Sequence, residues 1–145
     1  MMKFAAVLAL SVTLAGLSAA AAPPGHTIDM TMVLQDEAGK PAKDTLVSEA
    51  KGDRDCANCP NLTLGAAVAH SLFATYPDER ELSGEDKWAR ARLAQRVKED
   101  KAAALTANEV TLIKRLLAKA YGPIVLLQAY PVLDPNAKPP ESVKP

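Results

Sequence analysis

The segment TANEVTLIKRLLAKAY (106–121) constrains the fold of this chain more than any other stretch of its sequence. Its apolar residues recur at the spacing of one α-helical face. Thr106 and Glu109 form the Thr-x-x-Glu pattern of a capping box, in which each residue satisfies a backbone N–H at the helix start. The segment therefore predicts a helix that buries one side. The residues expected on or beside that side are Val110, Leu112, Ile113, Leu116, Leu117, Ala120 and Tyr121.

Two further helices are expected before this segment. Thr63 precedes LGAAVAHSLFATY, and its hydroxyl can accept a hydrogen bond from the first helical turn, while Pro77 marks the end of the helix. Ser83 and Asp86 resemble a second capping box. The helix behind Ser83 has a narrow apolar stripe, so we expect it to be the most solvated. That stripe consists of Ala89, Leu93 and Val97.

The segment PIVLLQAYPVL (123–133) is almost entirely apolar. Pro123 suits the first turn of a helix, so Gly122-Pro123 predicts a break between two successive helices. Such an apolar helix needs burial against its neighbours or against a partner. Residues 134–145 are rich in proline and charge, and they predict a disordered tail.

The start of the expected domain alternates between apolar and polar residues. HTIDMTMVLQ places Ile28, Met30, Met32 and Leu34 on one side, which is typical of a half-buried strand. The turn-forming residues DEAGKP follow, and 43–48 could return as a second strand. We therefore predict a mostly α, α+β domain over 27–133: a strand or β-hairpin followed by three to four packed helices. Residues 23–26 are expected to form an exposed leader.

The first residues of the chain have the pattern of an export signal. An uncharged apolar run over 4–18 follows a basic start and ends in small residues and prolines, and it is shorter than the roughly 20 residues that span a bilayer. Residues 1–22 therefore predict a signal peptide that is cut near Ala22. The mature protein would be periplasmic or secreted, without membrane contact. A translation start at Met30 or Met32 is the alternative.

The charge and the motifs argue against several classes of function. Acidic and basic residues balance at 17 each, so a nucleic-acid partner is not expected. Phosphate-binding glycine loops and the common catalytic motifs are missing from the sequence. The acidic cluster DERELSGED (78–86) and the basic residues of the following helix predict solvated surface charge. We expect neither catalysis nor a cofactor.

The pair Cys56 and Cys59 allows several chemistries. A covalent haem anchor needs His after the second cysteine, where Pro60 stands. A thiol-redox site is disfavoured because Pro60 keeps Cys59 out of helical geometry. A zinc site would need His26 and His70, or a second chain, to complete four ligands. A local disulfide is favoured, because an exported chain meets an oxidising compartment.

Four segments of the chain resemble small phage and prophage proteins of unknown function. The shared patterns are LQDEAGKP, LTLG, LSGEDK and LTANEVTLIK followed by AYGP, over roughly residues 30–130. The resemblance implies a shared fold and a phage-derived ancestry, and it implies no activity. The export signal and the cysteine segment TLVSEAKGDRDCANCPN depart from the family pattern. Residues 49–62 are therefore predicted to be an added loop.

These observations favour an exported interaction or structural protein without catalytic activity. Its partner would be another protein or a second copy. The candidate surface consists of Leu116, Leu117, Tyr121, Ile124, Val125, Leu127 and Tyr130. The same residues could instead form the core. The alternative function is a periplasmic thiol-redox or metal-binding protein that uses Cys56 and Cys59, with His26 and His70 as further metal candidates.

Overall fold

A computed structural model describes residues 26–46, 56, 58–79 and 81–136 of the chain. Helices predominate, and one small antiparallel sheet pairs the first described strand with a strand in the second half of the chain, so the predicted mostly α, α+β class is confirmed. The elements in chain order are β1 (His26–Asp29), α1 (Leu64–Phe73), a short 3-10 helix (Pro77–Glu79), α2 (Gly84–Glu99), β2 (Ala102–Leu105), α3 (Ala107–Ala120) and α4 (Pro123–Leu133).

The strand β1 pairs with β2, far away in the sequence. Its register runs from His26 opposite Leu105 to Asp29 opposite Ala102. The predicted return strand over 43–48 was therefore the wrong partner: within 43–46, Lys43 makes a single bridge, to Asn61. β1 also starts at His26, the last residue of the expected leader, and ends earlier than the alternating pattern predicted.

Three extended segments meet beside this sheet in a closed ring of backbone hydrogen bonds. The Leu34 N–H donates to the Leu62 carbonyl (2.9 Å), the Leu62 N–H to the Ala42 carbonyl (2.7 Å), and the Ala42 N–H to the Leu34 carbonyl (2.8 Å). Between the segments of Leu34 and Ala42 the chain reverses direction at Gly39, whose positive φ of 73° favours glycine over other residues. The ring therefore fixes Leu62, which lies between the cysteines and the start of α1, against Leu34 and Ala42.

The helix starts are those predicted from the capping residues. Thr63 caps α1, Ser83 caps α2, and Thr106 with Glu109 makes the full capping box of α3. Pro123 lies in the first turn of α4, as predicted from the Gly122-Pro123 break. Side-chain hydrogen bonds therefore mark the starts of α1, α2 and α3, and a proline marks the start of α4.

The core lies where α1 packs against α2 and α3, with β1 and β2 beside it. Gly65 brings the backbones together: a Cβ added there would lie 2.9 Å from the Val97 carbonyl oxygen and 3.0 Å from Met30 atoms. The largest fully buried side chains are Ile28, Leu34, Leu64, Val68, Val97, Leu105, Ile113, Leu116, Leu117 and Leu133.

Several predicted segments lie partly or wholly outside the described residues. These are the signal peptide 1–22, most of the leader 23–26, much of the loop 49–62 and residues 137–145 of the tail. In the part that is described, every helix is too short or too polar to cross a lipid bilayer.

Candidate functional site

The helix α4 presents an uncharged apolar face. The helix spans Pro123–Leu133 and carries no acidic or basic residue. Only Ala129 and Leu133 of this helix are buried. Leu127 is 72% exposed, which makes it the most exposed large apolar side chain among the described residues. An apolar helix that its own domain covers on one side leaves the other side available to a partner.

The residues of the predicted interaction surface divide between the core and this face. Leu116 and Leu117 are fully buried, so the part of the prediction that placed them on a surface was wrong. They lie on the inward stripe of α3, where the amphipathic pattern also put them. Leu127 is exposed, and the half-buried members are Tyr121, Ile124, Val125 and Tyr130.

Polar contacts at its sides hold α4 in place. The Gln128 side chain accepts a hydrogen bond from the Gln35 N–H (2.8 Å) and donates one to the Gln35 carbonyl (2.9 Å). The Tyr130 hydroxyl donates to the Lys114 carbonyl (2.9 Å), and the Lys114 ammonium pairs with Asp134 (3.0 Å). These contacts fix the orientation of the helix, so Leu127 is displayed from an anchored element.

Cys56 and Cys59 form a disulfide, as predicted. Cys59 is buried and Cys56 is half-buried, and neither is a free thiol. The Lys43 ammonium donates to the Cys59 carbonyl (3.3 Å), and the Asp44 N–H donates to the Pro60 carbonyl (2.9 Å). The disulfide therefore anchors the segment that pairs with residues 42–44.

The two histidines that were weak metal candidates occupy different environments. His26 is an exposed residue of β1, opposite Leu105. Both ring nitrogens of His70 face other groups: Nε2 lies 3.7 Å from Asp44, and Nδ1 lies 3.3 Å from the Tyr121 hydroxyl. Across the described ranges, no three His, Cys, Asp or Glu side chains are grouped so that they could hold a metal ion.

A pocket of about 360 Å³ lies beside His70. Its walls combine the apolar Leu46 and Leu62 with the buried Asp44 carboxylate and the Tyr121 phenol. Burial raises the pKa of Tyr121 to about 12, and the negative charge of Asp44 acts in the same direction. At neutral pH the phenol is therefore protonated, and its hydroxyl can donate to His70.

A cluster of charged residues around Arg90 and Glu79 was not predicted from the sequence. Arg90 is only 8% exposed, and its guanidinium donates to Glu79 (2.6 Å) and to the Ala74 carbonyl (3.1 Å). The prediction that these two residues are solvated surface charge was wrong. Arg90 stands three and seven residues before the buried Leu93 and Val97, so helical periodicity could have placed it on the inward stripe of α2.

Hydrogen bonds and charges determine the ionisation of Glu79. Burial raises its pKa, but hydrogen bonds from Arg90 and Lys119 outweigh that effect and hold the pKa below its ordinary value. Lys119 also pairs with Asp78 (2.5 Å). The predicted connector between α1 and α2 is therefore tied to α3 by ion pairs.

Comparison of the chain with protein-family models, with curated proteins and with solved structures finds no match.

Proposed function

We propose that this protein is an exported interaction protein without catalytic activity, and that it associates with a second copy of itself through the outward face of α4. The observation that carries the proposal is the exposure of Leu127 on a helix without any charged residue. Exposed apolar area of this kind lowers the free energy of a complex when a partner removes it from water.

The chemistry of the face favours a second copy as the partner. In a two-fold interface the same surface patch of both chains meets, so a patch that carries one sign of charge would repel its copy. The α4 face avoids this repulsion because Ile124, Leu127 and Tyr130 are uncharged. The charged groups nearby, Lys114 and Asp134, are already paired with each other, and the Lys114 ammonium lies 5.1 Å from the centre of the Tyr130 ring.

The proposed route to the working compartment rests on the leader sequence. An apolar run followed by alanines and prolines supports cleavage near Ala22 and release into the periplasm or the medium. The disulfide between Cys56 and Cys59 is compatible with that oxidising environment. Phage-derived ancestry belongs to the same proposal and rests on the sequence resemblance alone.

The decisive experiment compares two exposed positions in the exported, purified protein. Leu127→Glu places a charge on the α4 face, whereas Phe73→Glu places one at another exposed apolar side chain, 56% exposed at the end of α1. We expect the parent protein and F73E to dimerise in sedimentation equilibrium and L127E to be monomeric with an unchanged circular dichroism spectrum. A monomeric parent protein, or equal dissociation by both variants, would refute the proposal.

A thiol-redox role is the second candidate, and one observation favours it. Cys59 is buried while Cys56 is half-buried, so an incoming thiolate would reach Cys56 first and release Cys59. Against it, α1 begins only at Leu64, so neither cysteine gains the stabilisation that a helix N-terminus gives a thiolate. Rapid reduction by a dithiol at neutral pH would support this role, and resistance to it would favour a structural disulfide.

A further inference from the structure

A cleft of about 230 Å³ lies between the end of α1 and the first half of α2. It belongs neither to the α4 face nor to the disulfide segment. Its apolar walls include Leu72, Phe73 and Leu82, and its charged lining residues are Glu79, Lys87 and Arg90. Ligand pockets combine apolar walls with a few polar groups in this way, and because this cleft is smaller than the usual ligand pocket, only a small molecule fits it.

Arg90 has an unused hydrogen-bond donor in this region. Its two terminal nitrogens donate to Glu79 and to the Ala74 carbonyl. Its Nε–H is buried, and among the described residues it has no acceptor. A buried donor without an acceptor costs about 1–3 kcal/mol, and more when the group is charged. The Nε–H is closed off from solvent, so an acceptor in the cleft reaches it only after a movement of the Arg90 side chain.

The charged residues that line the cleft are two cations, Lys87 and Arg90, and one carboxylate, Glu79. The Glu79 carboxylate is shared by Arg90 (2.6 Å), Lys119 (3.2 Å) and Arg115 (3.5 Å). Asp78 pairs with Lys119, so three cations share two carboxylates in this network. Lys87 adds another positive charge at the cleft. An anion is therefore the ligand that the local electrostatics favour.

The apolar walls restrict what kind of anion fits. Phe73 is a large aromatic side chain that stays 56% exposed at the cleft, and Leu72 and Leu82 lie beside it. A free phosphate would leave this surface in contact with water, whereas an aromatic or short aliphatic group would cover it. Both terminal nitrogens of Arg90 already donate to Glu79 and Ala74, so Arg90 contributes mainly its positive charge and the exposed Lys87 ammonium is the donor for a carboxylate.

We propose that this cleft binds a small organic carboxylate with an apolar body. The carboxylate lies between Arg90 and Lys87, and the apolar body packs against Phe73. The carboxylate balances the one positive charge by which Lys87 and Arg90 exceed Glu79 in the lining of the cleft. The site is separate from the α4 face, so it is tested separately from self-association.

The test is an NMR titration with three probes. Phenylacetate carries both features, 2-phenylethanol has the aromatic body without the charge, and acetate has the charge without the body. We expect saturable shifts of the amides around Phe73 and Ala91 with phenylacetate and at least about tenfold weaker binding of the other two, as expected for loss of a charge-assisted hydrogen bond or of a buried ring.

One variant inside the cleft and one outside it complete the test. Lys87 and Arg92 are both exposed cations of α2, but Lys87 lines the cleft and Arg92 stacks on Trp88 instead. We expect Lys87→Gln to weaken phenylacetate binding about threefold to tenfold and Arg92→Gln to leave it unchanged. Arg90→Lys should weaken it further, with circular dichroism as the check of folding.

Three results would overturn the proposal. Equal binding of phenylacetate and 2-phenylethanol would mean that the carboxylate is not recognised. Absence of saturable shifts would mean that the cleft is not a ligand site, and equal effects of K87Q and R92Q would reduce the attraction to net charge. Because K87Q lies outside α4, its sedimentation behaviour should match that of the parent protein, which separates this result from the self-association test.

Discussion

Helices α1 and α4 are similarly apolar, but the fold buries most of α1 and leaves most of α4 at least partly exposed. Both are apolar and contain no Asp, Glu, Lys or Arg. In α1, Leu64–Phe73, seven of the ten residues are buried, whereas in α4, Pro123–Leu133, two of the eleven are buried. α1 packs against both α2 and α3, while α4 contacts α3 and β1 along one side.

The difference shows that position in the topology, and not apolar content, decides which helix is enclosed. α1 carries small residues on the sides where other backbones approach, as Gly65 does beside Val97 and Met30. α4 is built mainly from large side chains, and among the described residues no element packs against its outer side. The exposed side of α4 is therefore a surface that the chain does not cover with its described residues.

The largest expected effect comes from the same substitution in the two helices. Leu64 is fully buried in α1 and Leu127 is 72% exposed in α4. Leu64→Ala should lower the free energy of unfolding by roughly 2–5 kcal/mol, because a buried leucine leaves a cavity, and Leu127→Ala by less than about 0.5 kcal/mol. Urea denaturation, extrapolated to low protein concentration to remove any contribution of association, measures both.

Similar losses at the two positions would contradict the comparison. A large loss for L127A in the monomer would mean that α4 is buried on both sides. A small loss for L64A would mean that α1 can collapse around the missing side chain.

A second, smaller effect tests why α1 is so closely packed. Alanine favours a helix interior over glycine by about 1 kcal/mol, so Gly65→Ala would stabilise an isolated helix. In the protein the new Cβ would meet the Val97 carbonyl oxygen and Met30 at 2.9–3.0 Å. We expect a net loss of about 1–3 kcal/mol, because backbone atoms cannot move aside as a side-chain tip can.

Gly84 is the matched control for this substitution. It is the first residue of α2, and a Cβ added there has no neighbour within 4 Å. Gly84→Ala should be neutral or stabilising by up to about 1 kcal/mol. Thermal unfolding of both variants checks the pair, and a stabilised G65A would show that α1 has room to shift away from α2.

Features of the fold that depend on neighbouring residues were predictable. Thr63, Ser83 and Thr106 start helices because the side chain of each accepts a hydrogen bond from the backbone N–H three residues ahead. Pro123 starts α4 for a similarly local reason. The disulfide also followed from spacing, because Cys56 and Cys59 can bridge without help from the rest of the chain.

Features that depend on distant partners were not predictable in the same way. β2 has the sequence AAAL (102–105), and alanine has little preference for strands, so its pairing with β1 comes from the tertiary fold. The burial of the residues named for the candidate surface was likewise not predictable residue by residue. A segment as uniformly apolar as α4 has no polar face, so its sequence could not say that Leu127 points outward while Ala129 is buried.

The smallest expected effect concerns Tyr121, which contacts α1 and lies just before the start of α4. It follows α3 directly before the break to α4, and its hydroxyl lies 3.3 Å from Nδ1 of His70 in α1. Burial raises its pKa from the ordinary value of 10.0 to about 12. Between these values the unfolded chain loses the phenolic proton while the folded chain keeps it, so the free energy of unfolding falls as pH rises.

A difference of two pH units corresponds to about 2.7 kcal/mol. Because the phenol is partly exposed, we expect a loss of about 1–2 kcal/mol, which begins near pH 10 and is complete above about pH 12. Tyr121→Phe lacks this ionisation, so its stability should decline less steeply over that range. The difference between the two urea-denaturation curves is the readout, because the lysines and Tyr76 titrate in both proteins. Parallel curves would mean that the ring of Tyr121 is solvated, and that the α3–α4 corner packs less tightly on α1 than the distances to His70 indicate.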